Sequence, residues 1–362
     1  MRRKYELRSR HISSLAQARG RRCRRRLPDQ VQLSSRRLIL VVLLISLALA
    51  TGCTVAVGDS EAFEPAAAAP AWSPDSASIA YVLWQQRPTD SGPTEFNATA
   101  RVIDIDDKRD RRLFEGSGWH PEVVWSPDGR WLAVPSDRDR RRGTSCFTPP
   151  CDLVAELYLV SRNGKQGRRL TYNRADDFAP AWSPDGRQLA FISGRDRPQG
   201  VRIWRDVYVT STAGGKVVRI THDAAGESAL NWSRPDRLEV TRDDGSRIAV
   251  SVETPRQAPL PGRSQRLGER VVAPRSGAVA WLSTRDRNGE TCYADSDQET
   301  CEPNAEVYLQ TPDGRQVRVT RTASDEHDLA WSPDGRRLAF ASKEHIWIVN
   351  AIGTGLRRAS RT

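Results

Sequence analysis

Carboxylates and imidazoles recur in this chain just ahead of a set of regularly spaced tryptophans. Glu115, Asp176 with Asp177, Asp223 with Glu227, and the run Asp325-Glu326-His327-Asp328 occupy these segments, and so do three of the five histidines, His120, His222 and His327. Side chains of these types brought together are the ligand set of a divalent cation, and carboxylates alone would receive a cationic loop of a partner. Solvated polar links would have the same composition, so the residue types leave all three readings open. The spacing argues against convergence of the histidines. His222 stands ten residues before Trp232, whereas His120 and His327 stand five and four before Trp125 and Trp331. No cofactor is expected beyond a possible divalent cation.

The cysteines suggest a second chemistry. Cys146 with Cys151 and Cys292 with Cys301 pair naturally as sequence neighbours, and an oxidising compartment would keep both disulfides closed. Four cysteines could instead hold zinc, but their spacing is not Cys-x2-Cys and the two pairs lie in different repeats.

The elements that must position these residues follow from a repeated phrase. Trp72-Ser73-Pro74-Asp75, Trp125-Ser126-Pro127-Asp128-Gly129, Trp182-Ser183-Pro184-Asp185-Gly186, the degenerate Trp232-Ser233-Arg234-Pro235-Asp236 and Trp331-Ser332-Pro333-Asp334-Gly335 are five copies. A sixth, Val272-Ala273-Pro274-Arg275-Ser276-Gly277, is recognised because Val279-Ala280-Trp281 falls where Leu189-Ala190-Phe191 and Leu338-Ala339-Phe340 fall. Proline presets φ in the turn, aspartate bonds the local backbone, and glycine accepts a positive φ. In the clearest unit, three further apolar or β-branched runs at 188–192, 206–210 and 216–220 read as strands. Four strands per unit and six units predict an all-β, six-bladed propeller over 67–362, each blade a four-stranded antiparallel sheet. A tryptophan at one phase of every blade is expected to pack between blades rather than stack on a sugar.

The Trp-Ser-Pro-Asp-Gly-Arg phrase followed by Leu-Ala-Phe closely resembles the repeat of the TolB-like, WD40-like six-bladed propellers, and the resemblance covers about 65–362. It implies the fold more strongly than any activity. No Gly-x-Ser-x-Gly elbow follows the sixth unit, which separates the chain from the prolyl oligopeptidase relatives, and no α/β domain precedes the first, which separates it from TolB itself. Oligogalacturonate lyases also resemble these propellers and place metal-binding histidines near the channel, which makes a metal-dependent carbohydrate lyase the enzymatic alternative.

Charge locates the chain. Thirteen Lys and Arg residues against Glu6 and Asp29 within 1–37 account for the whole net charge of +11, so the remainder is neutral and nucleic acid is not an expected partner. The apolar run at 38–50 then precedes Thr51-Gly52-Cys53. Segments 1–37, 38–52 and 53–66 read as a basic n-region, an export-signal core and a tether. A start near Val31 would leave an ordinary leader holding Arg36 and Arg37. The residues before Cys53 resemble a bacterial lipobox, which makes Cys53 the candidate lipidation site. An uncleaved anchor remains the alternative, since 38–57 is long enough to span a bilayer. Both readings tether the propeller to the membrane on its extracytoplasmic side.

A four-stranded meander sends the short turns to one face and the loops at 85–97, 136–152, 193–201 and 283–304 to the other, together with the acidic links. Loop arginines (Arg138, Arg140, Arg141, Arg142, Arg195, Arg197, Arg285, Arg287) are expected to form a basic rim around an acidic centre. The expected function is a monomeric, non-catalytic scaffold that binds a protein or cell-envelope component through this face, with an extracytoplasmic sensor module as a related reading.

Overall fold

The computed structural model describes residues 66–89, 92–116, 122–139, 155–196, 205–222, 226–253, 257–260, 270–285, 290–295, 298–322 and 324–360. Cys53, His120, Cys146, Cys151 and Asp223 lie outside them, as do 1–65 and the loop arginines 140–142, 197 and 287. Among the described residues no helix is long and apolar enough to cross a membrane.

Six four-stranded antiparallel sheets follow one another along the chain. Blade one is β1 (Ala66–Trp72), β2 (Ser78–Thr89), β3 (Gly92–Asp104) and β4 (Arg109–Gly116). Blade two is β5 (Val124–Trp125), β6 (Trp131–Ser136), β7 (Glu156–Ser161) and β8 (Gly167–Arg169), and blade three is β9 (Asp177–Trp182), β10 (Gln188–Ser193), β11 (Asp206–Ser211) and β12 (Val217–Arg219). Blade four is β13 (Glu227–Arg234), β14 (Arg237–Arg242), β15 (Arg247–Ser251) and β16 (Gln257–Leu260). Blade five contains β17 (Val271–Val272), β18 (Val279–Ser283), β21 (Glu306–Gln310) and β22 (Gln316–Arg318), with the hairpin β19 (Glu290–Asp295) and β20 (Gln298–Pro303) inserted between its second and third strands. Blade six is β23 (Glu326–Trp331), β24 (Arg337–Ser342), β25 (His345–Asn350) and β26 (Arg357–Arg358). The first strands of blades one and two, two and three, three and four, five and six, and six and one touch one another, which places them around the channel.

The repeated phrase folds as its chemistry requires. Ser183 Oγ donates to Asp185 Oδ1 (2.6 Å) and accepts from Gln188 N, while Asp185 Oδ1 accepts from Arg187 N, so both side chains replace ladder bonds that the turn removes. The same set closes the turns at Ser73, Ser126 and Ser332. These bonds hold the turn carboxylates of Asp128, Asp185 and Asp334 below the ordinary range, and at Asp75, where partial burial opposes, the Arg162 guanidinium together with the turn bonds brings the carboxyl to about 2. Gly335 is needed for space as well as for its φ of +70°, because a Cβ there would lie 1.7 Å from the Pro274 carbonyl oxygen of the neighbouring blade.

Each tryptophan of the phrase is buried between blades. Its indole Nε1 donates to the main-chain oxygen just before the matching position of the previous blade: Trp125 to Ala71, Trp182 to Val124, Trp232 to Ala181, Trp331 to Val271 and Trp72 to Ala330. The last of these closes the ring. Ala67 N also donates to Lys343 O (2.7 Å), Ala69 N to Asp328 Oδ2 (3.1 Å), and the Arg337 guanidinium to Ser76 O (2.7 Å). Blade six completes its own sheet with β26, and the 66–72 segment is the first strand of blade one, so closure is side-by-side packing without an exchanged strand.

Two of the expected long loops contain strand. β2 and β3 stay paired from Ser78↔Asp104 out to Thr89↔Gly92, and β19 pairs with β20 from Glu290↔Pro303 to Asp295↔Gln298. Blades one and five therefore carry hairpin arms where the residue types suggested irregular loops.

Candidate functional site

Among the described residues, the acidic side chains at Asp176, Asp177, Asp325, Glu326 and Asp328 are engaged in the architecture. The first strands of blades three, four and six begin with a fully buried carboxylate: Asp177, Glu227 and Glu326. The residue before two of these caps the preceding blade, Asp176 Oδ1 accepting from Ala155 N (2.8 Å) and Asp325 Oδ1 from Ala305 N (3.0 Å). His327 Nδ1 lies 2.9 Å from Asp328 Oδ2, the same oxygen that receives Ala69 N across the ring closure. Asp328, Ala69 and Ala179 occupy one phase, three residues before their tryptophans, with φ of +56°, +51° and +50°, and the strand register shifts around each. The channel wall is thus bulged in blades one, three and six, and strain of this kind collects where a surface is shaped for contact. His222 is exposed, and nothing brings it to His327.

Asp177 has a complete cationic partner. Arg195 Nη2 reaches both carboxylate oxygens (2.8 and 3.0 Å), Asn173 Nδ2 donates at 2.8 Å, and the guanidinium lies over the rings of Phe191 and Tyr208. Burial pushes the Asp177 carboxyl up, with Arg195 pulling the other way. Arg195 therefore faces inward and is not part of the expected basic rim. Arg285 likewise lies over the Tyr308 ring, 4.2 Å from its centroid.

Glu326 is held differently. Thr320, Thr322 and Ser342 hydroxyls donate to it at 3.0, 2.6 and 3.1 Å, and no cation is paired with it among the described residues. Burial, with the Glu306 charge adding to it, raises its carboxyl to about 7 against the lowering effect of the hydroxyls. A raised folded-state value means that the protonated acid is the form the fold prefers. Its contribution is complete below the ordinary glutamate range and is lost as pH rises through about 7. Glu326→Gln is therefore expected to remove about 2 kcal/mol of the stability loss between pH 5 and 8. Urea unfolding of both chains across this range would show parallel curves if Glu326 were ionised throughout.

Two recurrent arrangements complete the face. Third strands begin with Glu156, Asp206 or Glu306, each paired with an arginine of the fourth strand (Arg169, Arg219, Arg318) that is followed two residues later by a threonine capping the third strand. Second strands of blades two and three run into a Ser-x-Arg-Asp elbow whose aspartate receives a tyrosine hydroxyl, Tyr158 to Asp139 and Tyr208 to Asp196 (2.8 Å). Blade five repeats the elbow in sequence as Ser283-Thr284-Arg285-Asp286. The third strand of blade six begins with His345, whose Nε2 lies 3.1 Å from the Arg358 guanidinium. The same nitrogen lies 3.4 Å from Glu344 Oε1, while Nδ1 stands 3.5 Å from Ser360 Oγ, an oxygen that accepts from Ile346 N. Among the described residues, no three His, Cys, Asp or Glu side chains stand together as a metal site.

No protein-family model matches the chain. Over 131 residues, 35% of this chain and 23% of the relative, it is 27% identical to a TolB homolog of Chlorobium luteolum. The Trp-Ser-Pro-Asp-Gly hairpin is complete in blades two, three and six and altered in the other three. The propeller is TolB-like. The TolB-like repeat also aligns, at 29% identity over 179 residues, with the uncharacterized peptidase YuxL of Bacillus subtilis, covering 48% of this chain and 22% of that protein. The solved TolB of Acinetobacter baumannii is similar at 17% identity and a TM-score of 0.41, covering 90% of this chain and 70% of that one. The chain spans between about a fifth and a half of the length of the first curated relatives it matches.

Proposed function

We propose that the TolB-like propeller is a non-catalytic scaffold, tethered at the extracytoplasmic side of a membrane, that binds a protein or cell-envelope component through the face carrying its arms. The observation supporting this is the asymmetry of the two faces. The short-turn face is consumed by bonds between blades: Arg162 with Asp75 and Ser78, Ser276 with Gly335, and Arg337 with Ser76. The opposite face bears the hairpin arms of blades one and five around a mouth walled by bulged strands and buried carboxylates. A rigid ring with projecting arms on one side is preorganised for a macromolecular partner.

A disulfide across the blade-five arm is part of this proposal. Cys292 and Cys301 are direct partners in the β19–β20 register. Cα atoms of opposed antiparallel residues stand about 4.5–5.5 Å apart, within the span a disulfide bridges. Tethering through Cys53 or through the apolar run at 38–50 rests on the leader sequence.

Relatives named as peptidases keep a catalytic role as the second reading. Affinity capture from envelope extract tests the first reading. Shortening the arm at 85–97 or at 289–304 is expected to weaken capture of the native partner at least tenfold, whereas Arg162→Ala on the opposite face leaves it intact. Equal capture by both shortened chains would place the binding surface elsewhere.

A further inference from the structure

Five of the six blade junctions share two features that the sixth lacks. An inter-blade indole bond crosses the junctions between blades one and two, two and three, three and four, five and six, and six and one. A cluster of buried apolar side chains spans each of the same five. Between blades four and five the tryptophan's place is taken by Val272, which is 62% exposed, and among the described residues no such cluster crosses. The backbone oxygen that a sixth indole would meet belongs to Asn231, whose side chain is exposed. Ala229 is exposed as well, whereas its counterpart Ala179 in blade three is buried.

We infer that the ring parts first between blades four and five. Connectivity alone would put the weak joint where the chain's two ends meet, between blades six and one. That junction instead has the indole bond of Trp72, four further inter-blade hydrogen bonds and the apolar cluster of Ile79, Tyr81, Ile103, Ile346 and Ile348. Opening a closed ring requires only one junction to separate, and the one to yield is the junction holding the least buried apolar surface. Separation there would widen the channel sideways while the other five junctions stay packed. Blades four and five would then move as the jaws of the ring.

Hydrogen exchange of the purified chain reads this directly. Amides of Arg237–Arg242, Arg247–Ser251 and Val279–Ser283 are expected to exchange at least tenfold faster than those of Gln188–Ser193 and Arg337–Ser342, which occupy matching central positions. Val272→Trp restores the missing indole and should slow exchange in blades four and five about tenfold, leaving the others unchanged. A reciprocal variant guards against misfolding of that chain. Trp125→Val removes the indole between blades one and two, and should bring Trp131–Ser136 up to the rate of blades four and five. Uniform protection around the native ring, or a Trp125→Val chain whose exchange rises equally in every blade, would overturn the inference.

Discussion

Trp182→Ala is expected to lower the free energy of unfolding by about 4 kcal/mol, while Val272→Ala, at the matching position of blade five, changes it by less than about 0.5 kcal/mol. The indole of Trp182 packs with Leu157, Leu159, Leu170, Leu189 and Phe191 from blades two and three, and its Nε1 donates to Val124 O at 3.1 Å. Truncation loses the transfer energy of a large aromatic side chain, leaves a cavity between two rigid sheets that cannot collapse into it, and strips a partner from a backbone oxygen. Trp182→Phe separates these contributions. It keeps most of the packing and loses the hydrogen bond, and should cost about 1–2 kcal/mol. Chemical denaturation of the three variants is the measurement, and equal costs for Trp182→Ala and Val272→Ala would show that the indoles do not hold the blades together.

That contrast also marks how far the fold could be read from the sequence. A tryptophan recurring at one phase is legible because its neighbours, Ser-Pro-Asp-Gly, have a local reason to sit in a turn, and the strand after it alternates. The hairpin explains itself within ten residues. The acidic links do not. Asp176 and Asp325 resemble ligands in sequence because the backbone amides they cap, those of Ala155 and Ala305, lie some twenty residues earlier in the preceding blade. Asp328 is read in the same way, although its oxygen closes the ring on Ala69, more than 250 residues away. Composition identifies a carboxylate but gives no sign of a distant amide that consumes it.

Other features of the site are written locally in the sequence. The Ser-x-Arg-Asp elbow occurs three times, at Ser136, Ser193 and Ser283, and each copy precedes a third strand bearing a tyrosine: Tyr158, Tyr208 and Tyr308. The blade-three copy has glycine in its second position and no neighbouring cysteines. Arginine followed two residues later by threonine, at Arg169, Arg219 and Arg318, likewise foretells the buried carboxylate that opens the third strand. Both patterns put charge inside the face, where a count of loop arginines would put it on the rim. Glu326 differs from Asp177, Glu156, Asp206 and Glu306 in having hydroxyls in place of a guanidinium.

Removal of one such guanidinium should produce the largest single effect at the mouth. Arg195→Ala is expected to destabilise the chain by about 3–5 kcal/mol at pH 8, because it leaves the fully buried Asp177 carboxylate with only Asn173 and nearby hydroxyls. It also uncovers the faces of Phe191 and Tyr208. Lysine is a poor substitute, since an ammonium cannot lie flat on the two rings as the guanidinium does, so Arg195→Lys should recover less than half of the loss. The deficit carries a sign in pH. Without its partner the Asp177 carboxyl is governed by burial, which favours the protonated acid, so the variant's deficit should shrink as pH falls toward 5. Asp177→Asn in the Arg195→Ala background removes the buried charge and should restore about 2 kcal/mol at pH 8 with no remaining pH trend. Urea unfolding of the single and double variants at pH 5 and 8 distinguishes this from a packing effect. A deficit that is the same at both pH values, and that Asp177→Asn leaves unchanged, would mean that Arg195 acts through the two aromatic rings alone.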